Sequence, residues 1–410
     1  MRTVYLLSLA LLLFLLPREI SAQFSPIAPL VDLNLGPGSS DPEDLFDFDG
    51  NLLFTADPDS LDRGLYLSSG SMGETVRLAT INQDTFFNDG DADPKFYTVF
   101  QNAVYFAATN FLNGRELWRT DGTPDGTSLF LDLRPGELSG NPTNLTVFAD
   151  QLWFVADDMD GTRRLFNSNG SVQSTEQFSV LDLSGTGSGN LFVLDTLLYF
   201  TAAGGETNQR ELWRTDGTAS GTFAVTDFGG TGDPADFFSY QGLLYFSAED
   251  DMTGRELYRT SGSSVVATEL VRDLNAGGGS SEPRDFFTAG GLLFFTADDP
   301  FAGGRELYTS NGTTEGTQLY IDLNINGSSD PTGFTAFNDD YVVFSAQRST
   351  TGRELVALSA LDAGGDPDNV TFEFLDIAEG ETSSNPRDFV STGQDIYFTA
   401  TTPEEGRELY

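Results

Sequence analysis

Hydrophobic positions fall in short runs separated by Gly, Asp and Asn, and no stretch of useful length keeps a helical period of 3.6 residues. One run, two apolar residues followed by Phe, any residue and Ala, occurs eight times, at residues 52–56, 104–108, 152–156, 198–202, 244–248, 293–297, 342–346 and 396–400. Its Phe residues are Phe54, Phe106, Phe154, Phe200, Phe246, Phe295, Phe344 and Phe398, spaced 46 to 54 apart. Each run precedes a Gly-Arg-Glu-Leu-aromatic segment, clear at residues 115–118, 210–213, 255–258, 305–308 and 407–410. Residues 353–356 lack the aromatic, and the copies at 63–66 and 163–166 are degenerate. A turn and a strand ending in Asp-Leu complete the unit. Four short strands in about 48 residues predict an all-β fold, a β-propeller of eight four-stranded blades.

The turn carries a family resemblance. Residues 116–123 with Gly126-Thr127, and 211–218 with Gly221-Thr222, resemble the ELWxxDGT repeat of exported bacterial proteins, and 304–317 is a third copy with Asn311 in place of Asp. The resemblance spans residues 31–410 and implies a secreted repeat protein with no established activity. A weaker likeness connects the turn to the Asp-box hairpin of sialidase-type propellers. Asp121 and Asp216 are expected to accept backbone N–H bonds, and Gly122 and Gly217 to take positive φ. The repeated Arg-Glu pair reads as a brace between strands or blades. The last unit stops at Tyr410, inside its third strand, while Val31-Asp32-Leu33 matches a fourth-strand ending, so the N-terminal strand is expected to complete the last blade and close the ring.

Residues 4–16 form an apolar run of secretory length, shorter than the roughly 20 residues a spanning helix needs, and Ser21-Ala22 suit peptidase cleavage. Residues 1–22 are therefore read as a signal peptide and 23–410 as a single propeller domain, secreted, periplasmic or held at the cell surface, with no transmembrane segment and a monomeric state.

Charge narrows the chemistry. The 410 residues hold 62 Asp and Glu against 21 Lys and Arg, a net charge of −41, with no His and no Cys. Disulfides, His or Cys zinc sites, thiol nucleophiles and imidazole-dependent catalysis are excluded. Nucleic acid is not an expected partner, because its phosphates would be repelled. Lys95 is the sole lysine, and so acidic a surface suits saline surroundings, where molar salt shrinks the Debye length to about 3 Å.

Antiparallel alternation places the second-to-third hairpins and the inter-blade connections on one face. That face collects Asp157, Asp158, Asp250, Asp251, Asp298 and Asp299, and residues 41–44. Residues 88–93 resemble the start of a calcium loop, with Asp89, Asp91 and Asp93 as candidate ligands for Ca2+. The sequence favours an exported scaffold for adhesion or other binding, with an unknown protein or glycan as partner. The alternative is a carbohydrate-active propeller enzyme, hydrolase or lyase, using a carboxylate pair.

Overall fold

The computed structural model describes Leu33 and residues 40–410, except 58–62, 71–73, 80, 82–91, 185–189, 205–208, 229–231, 326, 338–340, 360–371, 379, 381, 392–394 and 404–405. The expected signal peptide, Val31, Asp32, Asp89 and Asp91 lie outside the described residues. Among those described, no helix is long and apolar enough to cross a membrane.

The fold is all-β and propeller-like. Glu43–Phe48, Asn51–Ala56, Gly64–Ser68 and Thr75–Ala79 form a four-stranded antiparallel sheet in chain order. The same order recurs along the chain, from Lys95–Phe100, the first strand of the second set, to Arg387–Ser391, which opens a last set with three described strands. A single parallel pairing, Arg210 with Gly232, joins the fourth and fifth sets.

Period-2 alternation explains the repeated apolar run. The repeated Phe lies on the second strand of its set, opposite the aromatic of the Arg-Glu-Leu segment on the third: Phe154 pairs with Phe166, Phe246 with Tyr258 and Phe295 with Tyr308. Their rings stack with centroids 5.6, 6.0 and 5.7 Å apart, a favourable cross-strand pair. The remaining apolar residues of the run face the neighbouring set. Leu53 and Leu65 pack on Val104 and Phe106, and Tyr105 and Leu117 pack on Leu152 and Phe154. The core is thus a succession of sheet-to-sheet interfaces. One of these contains Leu52, Phe54 and Tyr66 from the first set with Leu409, Val390 and Tyr397 from the last, and Leu33 beside them.

The turns expected from the repeat form as read. Thr123 donates its backbone N–H and hydroxyl to Asp121 Oδ1 at 3.0 and 2.6 Å, and Thr218 does the same to Asp216 at 2.9 and 2.6 Å. Asn311 replaces the aspartate in the third copy with the same bonds from Thr313. A fourth, degenerate copy uses Asn169 to hold Ser171. Gly217 sits at φ +89° with only Phe148 near its missing Cβ, at 3.9 Å. Gly217→Ala therefore carries a conformational cost with little steric one, and a loss of about 1–2 kcal/mol is expected in urea denaturation. An unchanged midpoint would show that the turn relaxes out of the left-handed region.

The Arg-Glu pair proves to be two separate braces, since adjacent residues on a strand point to opposite faces. Glu116, fully buried, accepts the backbone N–H of Leu133 at 2.7 Å and of Gly140 at 2.6 Å, both in the connection to the next set. Glu256 repeats this with Leu274 and Ser281, and Glu354 with Ile377 and Ser384. Gly64 and Arg164 stand where the first and third sets would carry this glutamate. In the first, the Arg77 guanidinium lies 2.7 Å from where a Gly64 Cβ would be, so cationic side-chain atoms crowd the opening of the missing carboxylate.

Candidate functional site

The acidic hairpins and the connections share one end, as the alternation of strands requires. Asp157 N–H bonds Gly140 O at 2.7 Å and Asp298 N–H bonds Ser281 O at 2.7 Å, which ties the end of each second strand to the incoming connection. At this end the first strands begin with a four-residue element, Asx or Glu, Pro, any residue, and usually Asx: residues 41–44, 93–96, 141–144, 233–236, 282–285, 330–333 and 385–388. Its first and fourth residues both take positive φ, as in Asp41 (41°) and Asp44 (54°), or Asn385 (46°) and Asp388 (59°). Asp and Asn tolerate this region better than other non-glycine residues, and Pro removes an N–H while fixing its own φ. The result is an irregular register where the first strand enters its sheet, for example between Glu43 and Phe46.

The repeat Arg anchors this element in most sets. Arg63, Arg115, Arg163, Arg255 and Arg353 donate to the main-chain oxygens of Asp41, Asp93, Asn141, Asp233 and Asp330 at 2.6 to 3.0 Å. In three sets the repeat Arg donates to a hydroxyl on the second strand, which donates onward to the fourth residue of the element. Arg255 reaches Ser247 at 3.2 Å and Ser247 reaches Asp236 at 2.8 Å. Arg305, Thr296 and Asp285 follow at 3.0 and 3.0 Å, and Arg407, Thr399 and Asp388 at 2.9 and 2.9 Å.

Charge at this end is mixed. Lys95 bonds Asp93 at 3.1 Å, Arg284 bridges Asp285 and Asp330, and Arg387 bridges Asp388 and Glu43. Burial pushes the Asp44 carboxyl up to about 6; Glu43, Asp93 and Asp388 add to the rise, and Lys95 opposes it. Burial likewise raises Asp285.

The fourth set lacks the element. It reads Asn190-Leu191-Phe192, and its first strand, Phe192–Leu194, is only three residues long. A recess of about 390 Å³ opens there, between the first strands of the third and fifth sets, lined by Asn144, Thr146, Asn190, Phe192, Asp236 and Phe237 among others. Phe192 and Phe237 meet edge to face at 6.4 Å. Among the described residues, Asp236 is the one carboxylate in its lining.

Most of the acidic residues singled out in the hairpins hold the hairpins themselves. Asp158 accepts the N–H groups of Asp160 and Thr162, both at 2.9 Å, and Arg164 at 3.1 Å. Asp250 accepts Met252 N–H at 2.8 Å. Asp299 accepts Phe301 N–H at 2.7 Å and the Tyr308 hydroxyl at 2.6 Å. Asp157 takes Asn141 and Arg163, and Asp298 pairs with Arg305 at 3.2 Å. Asp251 is exposed at the hairpin tip. Of the calcium candidates only Asp93 is described, and its carboxylate faces Lys95 and Arg115. No group of three or more acidic side chains is arranged to hold a metal among the described residues.

The proline element is marked in the sequence by its spacing rather than by a shared residue pattern. Pro42, Pro94, Pro142, Pro234, Pro283 and Pro386 each stand twelve residues before the repeated Phe, and Pro331 thirteen.

No protein-family model matches the chain, and no curated protein matches its sequence. Among solved structures, the chain is similar to one described in a study of two prolyl endopeptidases and inter-domain dynamics, at 12% identity and TM-score 0.54, covering 90% of this chain and 56% of that one. It is also similar to a puromycin-hydrolyzing peptidase of Mycobacterium tuberculosis, at 12% identity and TM-score 0.52, covering 92% and 59%. The chain thus spans under two thirds of either. The likeness is one of fold, to the β-propeller domains of these enzymes.

Proposed function

We propose that the chain is an exported binding protein of the ELWxxDGT-repeat type, a closed propeller of eight blades that presents its ligand site at the end bearing the proline elements. Closure is supported by the first and last sets. Ser40 donates to Glu408 at 3.1 Å, the same bond that Ser281 makes to Glu256 and Ser384 to Glu354. Ser40 follows Leu33 by seven residues, as Ser281 follows Leu274 and Ser384 follows Ile377. In this reading Leu33 stands where Leu274 and Ile377 stand in the other outgoing connections. Arg387 also bonds Glu43 across this junction at 3.0 Å.

The observation that carries binding over catalysis is the recess at the fourth set. It joins two amides, one hydroxyl and two aromatic rings to a single carboxylate, a set suited to hydrogen-bonding a polar ligand such as a glycan, and short of the acid and base pair of a glycoside hydrolase. The chemistry of the peptidase neighbours is not carried over, because these 410 residues hold no His or Cys to activate a nucleophile or to serve as one. An enzyme remains the second reading on account of Asp44, a carboxyl pushed up to about 6 with Asp388 within electrostatic reach.

The test is a glycan and Ca2+ binding screen of residues 23–410 at low and molar salt, beside an Asn144→Ala, Asp236→Ala variant. Calcium is included because residues 88–93 read as a calcium-type turn. Glycan affinity is expected to fall at least tenfold in the variant, and equal affinity would move the ligand elsewhere. Glycan cleavage in the same screen, abolished by Asp44→Asn, would favour the enzyme.

A further inference from the structure

The hairpins between second and third strands combine two features that sequence position alone does not connect. In each of three, an Asx side chain accepts the N–H of the residue two positions on. Asn110 holds Leu112 at 3.1 Å, Asp250 holds Met252 at 2.8 Å and Asp299 holds Phe301 at 2.7 Å. Asp158 holds its hairpin in the same way, with Met159 at the tip. The residues so presented are large, apolar and exposed: Leu112 71%, Met159 70%, Met252 82% and Phe301 95%. Phe111 and Leu138 are exposed near the first of these, and Ile325 lies in a connection at the same end. Repeat-equivalent apolar positions inside the sheets are buried, so these tips are not overflow from a crowded core. The opposite end exposes only Val172, Val265 and Val266 in its described turns.

We infer that this crown of apolar tips on an acidic rim is a docking surface for a cationic amphipathic segment of a partner protein. The rim supplies the exposed Asp160 and Asp251, and the whole chain carries a charge of −41. That charge complements a basic partner and repels both a second copy of this chain and an anionic lipid surface. Exposed apolar patches on soluble proteins mark interaction sites, and an amphipathic helix offers such a patch one apolar face with its charged face left to the rim. The crown is separate from the recess at the fourth set, and neither depends on the other.

The experiment measures binding of residues 23–410 to an 18-residue Lys/Leu amphipathic peptide by fluorescence anisotropy, with a Lys/Gln peptide of equal charge as comparison. The tip variant is Leu112→Ser, Met159→Ser, Met252→Ser and Phe301→Ser, all exposed and outside the core. The intact protein is expected to bind the Lys/Leu peptide at least tenfold more tightly than the Lys/Gln peptide, and the tip variant to lose that preference while circular dichroism stays unchanged. Equal affinity for both peptides would reduce the surface to bulk charge and overturn the inference. So would unchanged preference in the tip variant, binding of phosphatidylcholine vesicles in place of the peptide, or a concentration-dependent dimer that the tip substitutions abolish.

Discussion

Glu256→Ala is expected to destabilise the protein by about 3–5 kcal/mol, among the largest effects of any single polar substitution here. The carboxylate is fully buried and accepts the N–H groups of Leu274 and Ser281, both at 3.0 Å, and the Ser281 hydroxyl at 2.6 Å. Truncation leaves three donors facing an apolar gap, and a buried unsatisfied donor costs about 1–3 kcal/mol. Glu256→Gln keeps the volume and one acceptor but turns an NH2 toward a donor, so it is expected to lose about half as much. Urea denaturation checks both, and a loss under about 1 kcal/mol for the alanine would mean that water takes over the acceptor role.

The pH dependence follows from the same residues. Burial pushes Glu116 and Glu306 up to about 7, more than the N–H donors around them pull down, and raises Glu211, Glu256 and Glu354. A carboxyl whose folded pKa lies above its unfolded value near 4.5 binds its proton more tightly when folded. Its contribution is complete below about 4.5 and is lost as pH rises toward 7. Asp121 and Asp216, lowered by their bonds from Thr123 and Thr218, act below that window. The urea midpoint should therefore fall between pH 5 and pH 7.5, and Glu306→Gln should flatten the slope.

What could be read from the chain and what could not divide along physical lines. The second and third strands were legible because both faces are buried and each position is restricted in size, so Phe-x-Ala and Glu-Leu-aromatic recur with little variation. The turns at Asp121 and Asp216 were legible because one side chain satisfies several local donors. The proline elements were not, because their two left-handed residues are any of Asp, Asn, Glu, Phe or Gly, and only the Pro itself recurs, at twelve or thirteen residues before the repeated Phe. The Arg-Glu pair reads in the sequence as one brace between strands or blades, because Arg and Glu are adjacent there. The partners of the glutamates lie 15 to 30 residues ahead and are mainly backbone N–H groups, which leave no mark in the side chains. Strand alternation implies that the second-to-third hairpins and the connections share one end, as the bonds Asp157 N–H to Gly140 O and Asp298 N–H to Ser281 O show. That the carboxylates at this end hold turns and present Leu112, Met252 and Phe301 depends on hydrogen bonds that composition does not encode.

The ring reading makes its own large prediction, a loss of at least about 3 kcal/mol when residues 23–36 are deleted. The deletion removes Leu33 from the apolar cluster with Leu52, Phe54 and Leu409. It also leaves the edge of the strand Gly406–Leu409 without the neighbour that this reading assigns to it, exposing its backbone groups. Leu33 is partly buried, so its loss costs up to about 1.5 kcal/mol, and the larger share comes from the unpaired donors and acceptors of the freed edge. Ser40 survives the deletion, but if the ring reading holds it loses the chain that anchors it against Glu408, so Glu408→Ala should cost much less in the deleted protein than in the intact one. That non-additivity separates ring closure from simple loss of a flanking peptide. A deletion that leaves the urea midpoint unchanged, or a Glu408→Ala cost equal in both backgrounds, would mean that the first and last sheets are held together without this strand.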